Sequence, residues 1–210
     1  QVGTGNNKSC NTTLADPVEI AMPISDQNIQ DWKDVAAAGG TYSGRYTVDA
    51  ASATLGPIKV TGNLTVINNA SLTINGTLWV QGNLDVSNNA TVRLASGYGS
   101  SEGVIIVDGT VNLGNNANFV GSGTSGSYVM VLTTSNSTSA ITVGNNAGAV
   151  ILYAANGTVN VNNNAGARSI TGYYISLSNN AVITYDSGLA NANFVNGPSG
   201  SWSTTSWREQ

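Results

Sequence analysis

From Gly62 to Gly82 every second residue is apolar, small or Asn: Leu64, Val66, Asn68, Ala70, Leu72, Ile74, Gly76, Leu78 and Val80. The residues between them are mostly polar: Asn63, Thr65, Asn69, Ser71, Thr73, Asn75 and Thr77. A period of two marks a strand with one face buried. Turn dipeptides interrupt the run at Asn68-Asn69, Asn75-Gly76 and Gln81-Gly82. The pattern therefore predicts three short strands and three corners in about 20 residues.

This unit recurs along the chain. Asn-Asn-Ala occurs six times, ending at Ala70, Ala90, Ala117, Ala147, Ala165 and Ala181. An aliphatic pair precedes each copy: Leu64/Val66, Leu84/Val86, Val111/Leu113, Ile141/Val143, Val159/Val161 and Ile175/Leu177. Four copies carry a Gly two residues before the first aliphatic, at Gly62, Gly82, Gly109 and Gly157. The segment from Gly44 to Val48 reads as a degenerate first copy. Repeats of this length signal strands that stack coil on coil. A β-sandwich also has many short strands, but it does not repeat one corner sequence in register. The expected fold is all-β: a three-sided parallel β-solenoid, or β-helix, of about seven coils from Tyr42 to Tyr185. The twist preference of parallel strands makes it right-handed.

Strand parity then assigns faces. The first Asn of each pair (Asn68, Asn88, Asn115, Asn145, Asn163, Asn179) shares the inward parity of the aliphatics, predicting a buried ladder of amides bonded from coil to coil. The second Asn suits a left-handed corner. On this reading, replacing Asn145 costs more than replacing Asn146.

Spacings between successive Ala corners are 20, 27, 30, 18 and 16 residues, so some coils carry inserted loops. The excess lies in Ser96–Gly103, Gly121–Ser127 and Thr133–Ser139, whose aromatics Tyr98 and Tyr128 are candidates for contact with an outside ligand. Outward positions of the third strand read Lys59, Trp79, Ile106, Met130 and Leu152. The matching column on the first strand is polar: Thr65, Asp85, Asn112, Thr142, Asn160 and Ser176. An apolar outer column must be covered by this chain, by a further N-terminal helix or by a partner, so Trp79, Ile106, Met130 and Leu152 are the second set of contact candidates.

At the ends, Ser25 to Ala38 reads as one amphipathic helix. Ser25 is its N-cap, Ile24 and Ile29 form a hydrophobic staple, and Gly39 is the stop. Ile29, Trp32 and Val35 share a face, and the helix is expected to plug the N-terminal mouth. The resulting division is a flexible tail over 1–21, a capping helix over 22–41, the solenoid over 42–186 and a C-terminal cap over 187–210. Phe194, Trp202 and Trp207 supply the bulk of that last cap.

Composition acts mainly by exclusion. Only 9% of the 210 residues are charged and 40% are hydrophobic. With 28 Asn, 23 Ser and 22 Thr, most of the polarity is uncharged. The net charge of −4 comes with no basic cluster, so there is no nucleic-acid signature. Cys10 is the only thiol and His is absent, which removes an internal disulfide, zinc sites and His-dependent triads. No cofactor or metal is predicted. Gln1 opens directly into a polar stretch, which reads as a processed ectodomain or one separated from an anchor.

Several stretches resemble the solenoid-bearing ectodomains of bacterial pilin-like proteins, the tip-associated minor pilins of the type IV pilus system. The carrying residues are Met22-Pro23-Ile24-Ser25-Asp26 with Trp32-Lys33, the six Asn-Asn-Ala coils, Ser187-Gly188-Leu189-Ala190-Asn191 with Phe194, and Trp202 to Glu209. The resemblance implies display on the bacterial cell surface and attachment. It implies pilus subunits, envelope components or surface glycans as partners, and a membrane only through an N-terminal hydrophobic helix absent from this sequence. It carries over no catalytic residue.

Function is thus expected to be non-enzymatic: an extracellular attachment or structural module. The alternatives are a polysaccharide-acting β-helix enzyme and a self-assembling scaffold. Such enzymes cluster their carboxylates, whereas Asp49, Asp85, Glu102, Asp108 and Asp186 lie on different coils. Ice binding wants a regular threonine column, and Thr65, Asp85, Asn112, Thr142 is too mixed.

Overall fold

The computed structural model describes residues 22, 24–149 and 151–184. The expectations for 1–21, for Cys10 and for the 187–210 cap lie outside the described residues. Within them the chain is one α-helix followed by parallel strands that stack coil on coil.

Up to Ile141–Val143 each strand pairs with the third strand onward in sequence, along three lines of pairing. The first ladder joins Tyr46–Asp49, Leu64–Ile67, Leu84–Val86, Val111–Leu113 and Ile141–Val143. The second joins Ser52–Leu55, Ser71–Ile74, Thr91–Leu94 and Asn118–Val120, and continues through single bridges at Gly148 and Gly166. The third joins Thr41–Tyr42, Ile58–Val60, Leu78–Val80, Gly103–Val107 and Val129–Thr133. The long strand Ile151–Val161 then belongs to both the third and the first ladder, so these two merge into one sheet. Ser169–Leu177 pairs with that long strand on either side of an irregularity at Tyr173.

The core lies inside the coils. Leu64, Val66, Leu72, Ile74, Leu78 and Val80 of one coil are fully buried, and their counterparts stack above and below them. Each inward side chain thus sits on an equivalent one, so like packs on like along the axis. The polar column of the first ladder falls as the alternation requires: Thr65, Asp85, Asn112, Thr142, Asn160 and Ser176 are partners in successive coils.

The Asn corner departs from its expected burial. Both residues of every pair are exposed, and both adopt positive φ, from 50° at Asn115 to 63° at Asn180. Two successive left-handed residues turn both amide side chains outward, and the alternation then resumes in the same parity, with Ala70, Ala90, Ala117, Ala147 and Ala165 as the buried corner residues. The first Asn side chains do form a ladder: Asn88 donates to Asn68, Asn115 to Asn88, Asn145 to Asn115, Asn163 to Asn145 and Asn179 to Asn163, at 2.9–3.2 Å. Asn68 in turn donates to Asp49, which starts the column in the degenerate first coil. A second ladder runs beside it, in which Asn89 donates to Asn69, Asn116 to Asn89 and Asn146 to Asn116.

Both members of a pair are thus equivalent in kind. Asn145→Ala and Asn146→Ala should each cost about 1–2 kcal/mol, the left-handed penalty plus a lost amide bond. Asn145→Gly, which keeps the backbone free to turn, should cost less than Asn145→Ala. Urea unfolding of the three variants measures this, and a loss at Asn145 several times that at Asn146 would contradict it.

The helix α1 spans Asp26–Ala38 with Ser25 as N-cap and Gly39 as C-cap. It does not plug the mouth. It lies on the outer flank of the third ladder, against Ile58–Val60, Leu78–Val80 and Gly103–Val107. Its buried residues are Ile29, Trp32 and Ala36, with Val35 at the margin. Gly39 keeps ordinary right-handed φ, and what demands glycine there is space: a Cβ would meet the Pro57 carbonyl oxygen at 2.2 Å.

Candidate functional site

The apolar outer column is real, but its membership differs from the expected one. Trp79 partners Ile106, Ile106 partners Leu132, and Leu132 partners Tyr153. Met130 also faces outward, in a neighbouring column with Val104 and Ile151. Leu152 faces the interior and belongs to the core of the coils. The cause is visible in the burial of Gly103–Val107 and Val129–Thr133, where all five residues of each strand are buried. A strand covered on both faces reads as a continuous apolar run, and alternation no longer tells in from out.

The outer cover is α1. Ile29 and Trp32 pack with Val104, Ile106, Met130, Leu132 and Tyr153 in a separate apolar cluster, flanked by Ile24, Trp79, Ile151 and Ala155. Polar contacts fasten its rim. Lys33 Nζ pairs with Asp108 at 2.6 Å, and the other Asp108 oxygen accepts from Trp79 Nε1 at 2.8 Å. The ammonium groups of Lys59 and Lys33 lie 4.3 and 5.3 Å from the centre of the Trp79 ring. Tyr153 donates its hydroxyl to the Ile24 carbonyl at 3.1 Å. Burial, helped by the Asp26 carboxylate, pushes the Tyr153 phenol above its ordinary pKa, so the neutral donor is the form at physiological pH. Trp79, Ile106, Met130 and Leu152 are therefore packed within this chain.

The loop tyrosines are also internal. Tyr128 is only 8% exposed and belongs to the core, and Tyr98, in the short 3-10 turn Ser96–Tyr98, packs against that core. Glu102 is buried between them in sequence, at 1% exposure. The longer connections from Leu94 to Gly103 and from Val120 to Val129 widen these coils, and the rings fill the added section. The loop that follows Val120 instead borders an open cleft of 570 Å³ with Arg93 at its edge.

The most exposed aromatic rings among the described residues lie outside both candidate sets. Tyr173 and Tyr174 are 69% and 65% exposed and meet edge to face, with ring centres 5.0 Å apart. Their position follows from an irregularity between the two longest strands. Ala154 partners Gly172 and Thr158 partners Tyr174, so Ala155, Asn156 and Gly157 stand opposite Tyr173 alone. The bulge lifts Asn156 into solvent beside the tyrosine. A shallow cleft of 660 Å³ opens there, lined by Asp108, Thr134, Ser135, Asn136, Asn156 and Tyr173.

The floor of this cleft is held by its own hydroxyls. Thr133 donates to the Gly109 carbonyl, and the amides of Ser135, Ser137 and Ser139 are held in turn by the hydroxyls of Thr133, Ser135 and Ser137. Thr134 donates to Asp108 at 3.2 Å. Thr158 N donates to the Ser137 carbonyl, and a Cβ on Gly157 would lie 2.5 Å from the Ser135 carbonyl oxygen. A loop seated this closely keeps Asn136 and Asn156 in a fixed relation. One signal in the sequence could have found the tyrosines: adjacent residues in a strand face opposite ways, so one of two neighbouring tyrosines must lie outside.

No family model, curated protein or solved structure matches the chain. Among the described residues there is no group of three or more metal-ligating side chains, and no helix is long and apolar enough to cross a membrane.

Proposed function

We propose that the chain is a non-enzymatic attachment or structural module of the bacterial cell surface, built on a three-sided, right-handed β-solenoid of about seven coils. The pilin-like resemblance supplies the setting: extracellular display, with pilus subunits, envelope components or surface glycans as partners. The observation that carries the reading is how the chain deals with its apolar surface. The adhesive-looking outer column is closed by the chain's own helix α1. What faces solvent along the first ladder is a register of threonine, asparagine, aspartate and serine, edged by the twin Asn ladders. A rigid, mostly uncharged surface of hydroxyls and amides suits recognition through many hydrogen bonds at little cost in ordering entropy.

The test is binding of the labelled full chain to isolated bacterial envelopes, purified type IV pili and immobilised surface glycans, with release of reducing ends followed in parallel. Saturable binding to one of the three without sugar release is the expected result. No saturable binding to any of them removes the attachment reading, and catalytic sugar release removes the non-enzymatic one.

A further inference from the structure

We propose that the cleft at Tyr173, Asn156, Asn136 and Asp108 binds a neutral saccharide chain. The proposal rests on the attachment reading and gives it a site. Its first support is the chemistry of the lining. Sugars present flat patches of C–H groups on one face and pairs of hydroxyls around the rim. An exposed aromatic ring answers the first, and amides with both donor and acceptor answer the second. Tyr173 is the exposed ring, while Asn136 and Asn156 are exposed amides on the same cleft. Ser135 and Thr134 add hydroxyls, although each already serves the loop.

The second support is preorganisation. Tyr174 meets the Tyr173 ring edge to face at 87°, which limits its rotation. The bulge at Ala155–Gly157 presents Asn156 between paired stretches of strand, and the chain of hydroxyl-to-amide bonds holds the loop that carries Asn136. A site that is already ordered loses little entropy on binding. The third support is charge. Asp108 is the carboxylate of the cleft, and it is matched by Lys33 at 2.6 Å and bonded by Trp79 and Thr134. The cleft thus offers an anchored hydrogen-bond acceptor rather than a free charge, which fits an uncharged ligand. Its 660 Å³ falls within the ~300–1,000 Å³ of small-ligand sites, and its open form lets a chain pass through rather than end there.

The experiment titrates the full chain with cellohexaose, xylohexaose, maltohexaose, mannohexaose and chitohexaose by calorimetry. Saturable binding of at least one is expected. Tyr173→Ala should raise its Kd about tenfold, the equivalent of ~1.4 kcal/mol for a lost aromatic contact. Tyr173→Phe keeps the ring face and should stay within about twofold. Asn156→Ala should weaken binding several-fold. Both side chains are exposed, so far-ultraviolet circular dichroism should not change. No binding of any of the five sugars overturns the proposal, as does binding that Tyr173→Ala and Asn156→Ala leave intact, or that Tyr173→Phe abolishes. Envelope binding separates the two levels. If wild type and Tyr173→Ala bind envelopes equally, the cleft is refuted and attachment stands. If wild type binds no envelope, pilus or glycan surface, the attachment reading itself fails.

Discussion

Trp32→Ala should release helix α1 from the flank of the coils without unravelling the coils themselves. Trp32 is 2% exposed, and with Ile29 it seals Val104, Ile106, Met130 and Leu132. Truncating a buried Trp costs ~3–5 kcal/mol. That loss falls on a 13-residue helix, too short to persist alone in water. The coils keep their own interior, because the residues under α1 form a cluster distinct from the core within the coils. The variant should therefore bind a hydrophobic dye, self-associate, and lose amide protection over Asp26–Ala38 while Leu64–Ile67 stays protected. Trp32→Phe should show the same changes in weaker form. If Trp32→Ala binds no dye and unfolds at the wild-type denaturant midpoint, α1 is not what shields the third ladder.

The first ladder was legible because one of its faces meets water. Leu64, Val66 and their partners alternate with Thr65, Asp85 and Asn112, so the register could be read from the repeat alone. The third ladder was not. Val104 to Val107 and Val129 to Leu132 are apolar throughout, because the core lies on one side and α1 on the other. The outer column therefore runs through Leu132 and Tyr153, two residues from Met130 and one from Leu152. The helix was legible as an element, with Ser25 as its cap, but an amphipathic stripe says only that a helix must cover something apolar. It does not say whether that is the mouth or the flank.

The site was less legible than the fold. Tyr98 and Tyr128 stand in Ser/Gly-rich insertions, which usually lie at the surface, yet here the insertions widen the coil and the rings go inside. Tyr173 and Asn156 are brought together by a bulge in which three residues stand opposite one, and no composition signal announces it. Strand parity predicts the ladder of the first Asn of each pair but not its exposure, and it gives no sign of the second ladder beside it. The reason is conformational: both residues are left-handed, so the first Asn is turned outward although the residues on either side of the corner, Val66 and Ala70, keep the inward parity.

The glycine that stands two residues before Leu64, Leu84 and Val111 leads to the second large effect. Gly62, Gly82 and Gly109 stack, each donating its amide to the carbonyl of the glycine one coil below, at 3.0–3.1 Å. None of the three has positive φ, so freedom of the backbone is not the reason for glycine. Room is. A Cβ on Gly82 would lie 2.3 Å from Asn63 Oδ1 and 2.7 Å from Asn63 N and Gly62 C. That Asn63 oxygen accepts the Asn83 amide at 2.9 Å, and Asn83 Oδ1 accepts the Thr110 amide in the next coil, also at 2.9 Å. An added methyl must push one coil off the next and break this second line of asparagines, which joins side chain to backbone. Gly82→Ala should accordingly cost about 3 kcal/mol, the upper range for overpacking. Because coils are stabilised by their neighbours, the damage should spread along the axis in both directions. Gly114→Ala is the control. It sits in the same first-ladder repeat, just before Asn115, where a Cβ meets nothing within 4 Å and where other coils carry Ser87 or Asn162. Its cost should stay within about 0.5 kcal/mol. Urea denaturation of the two variants decides the matter: similar midpoints would mean that the coils do not approach as closely at Gly82 as the stacked glycines require.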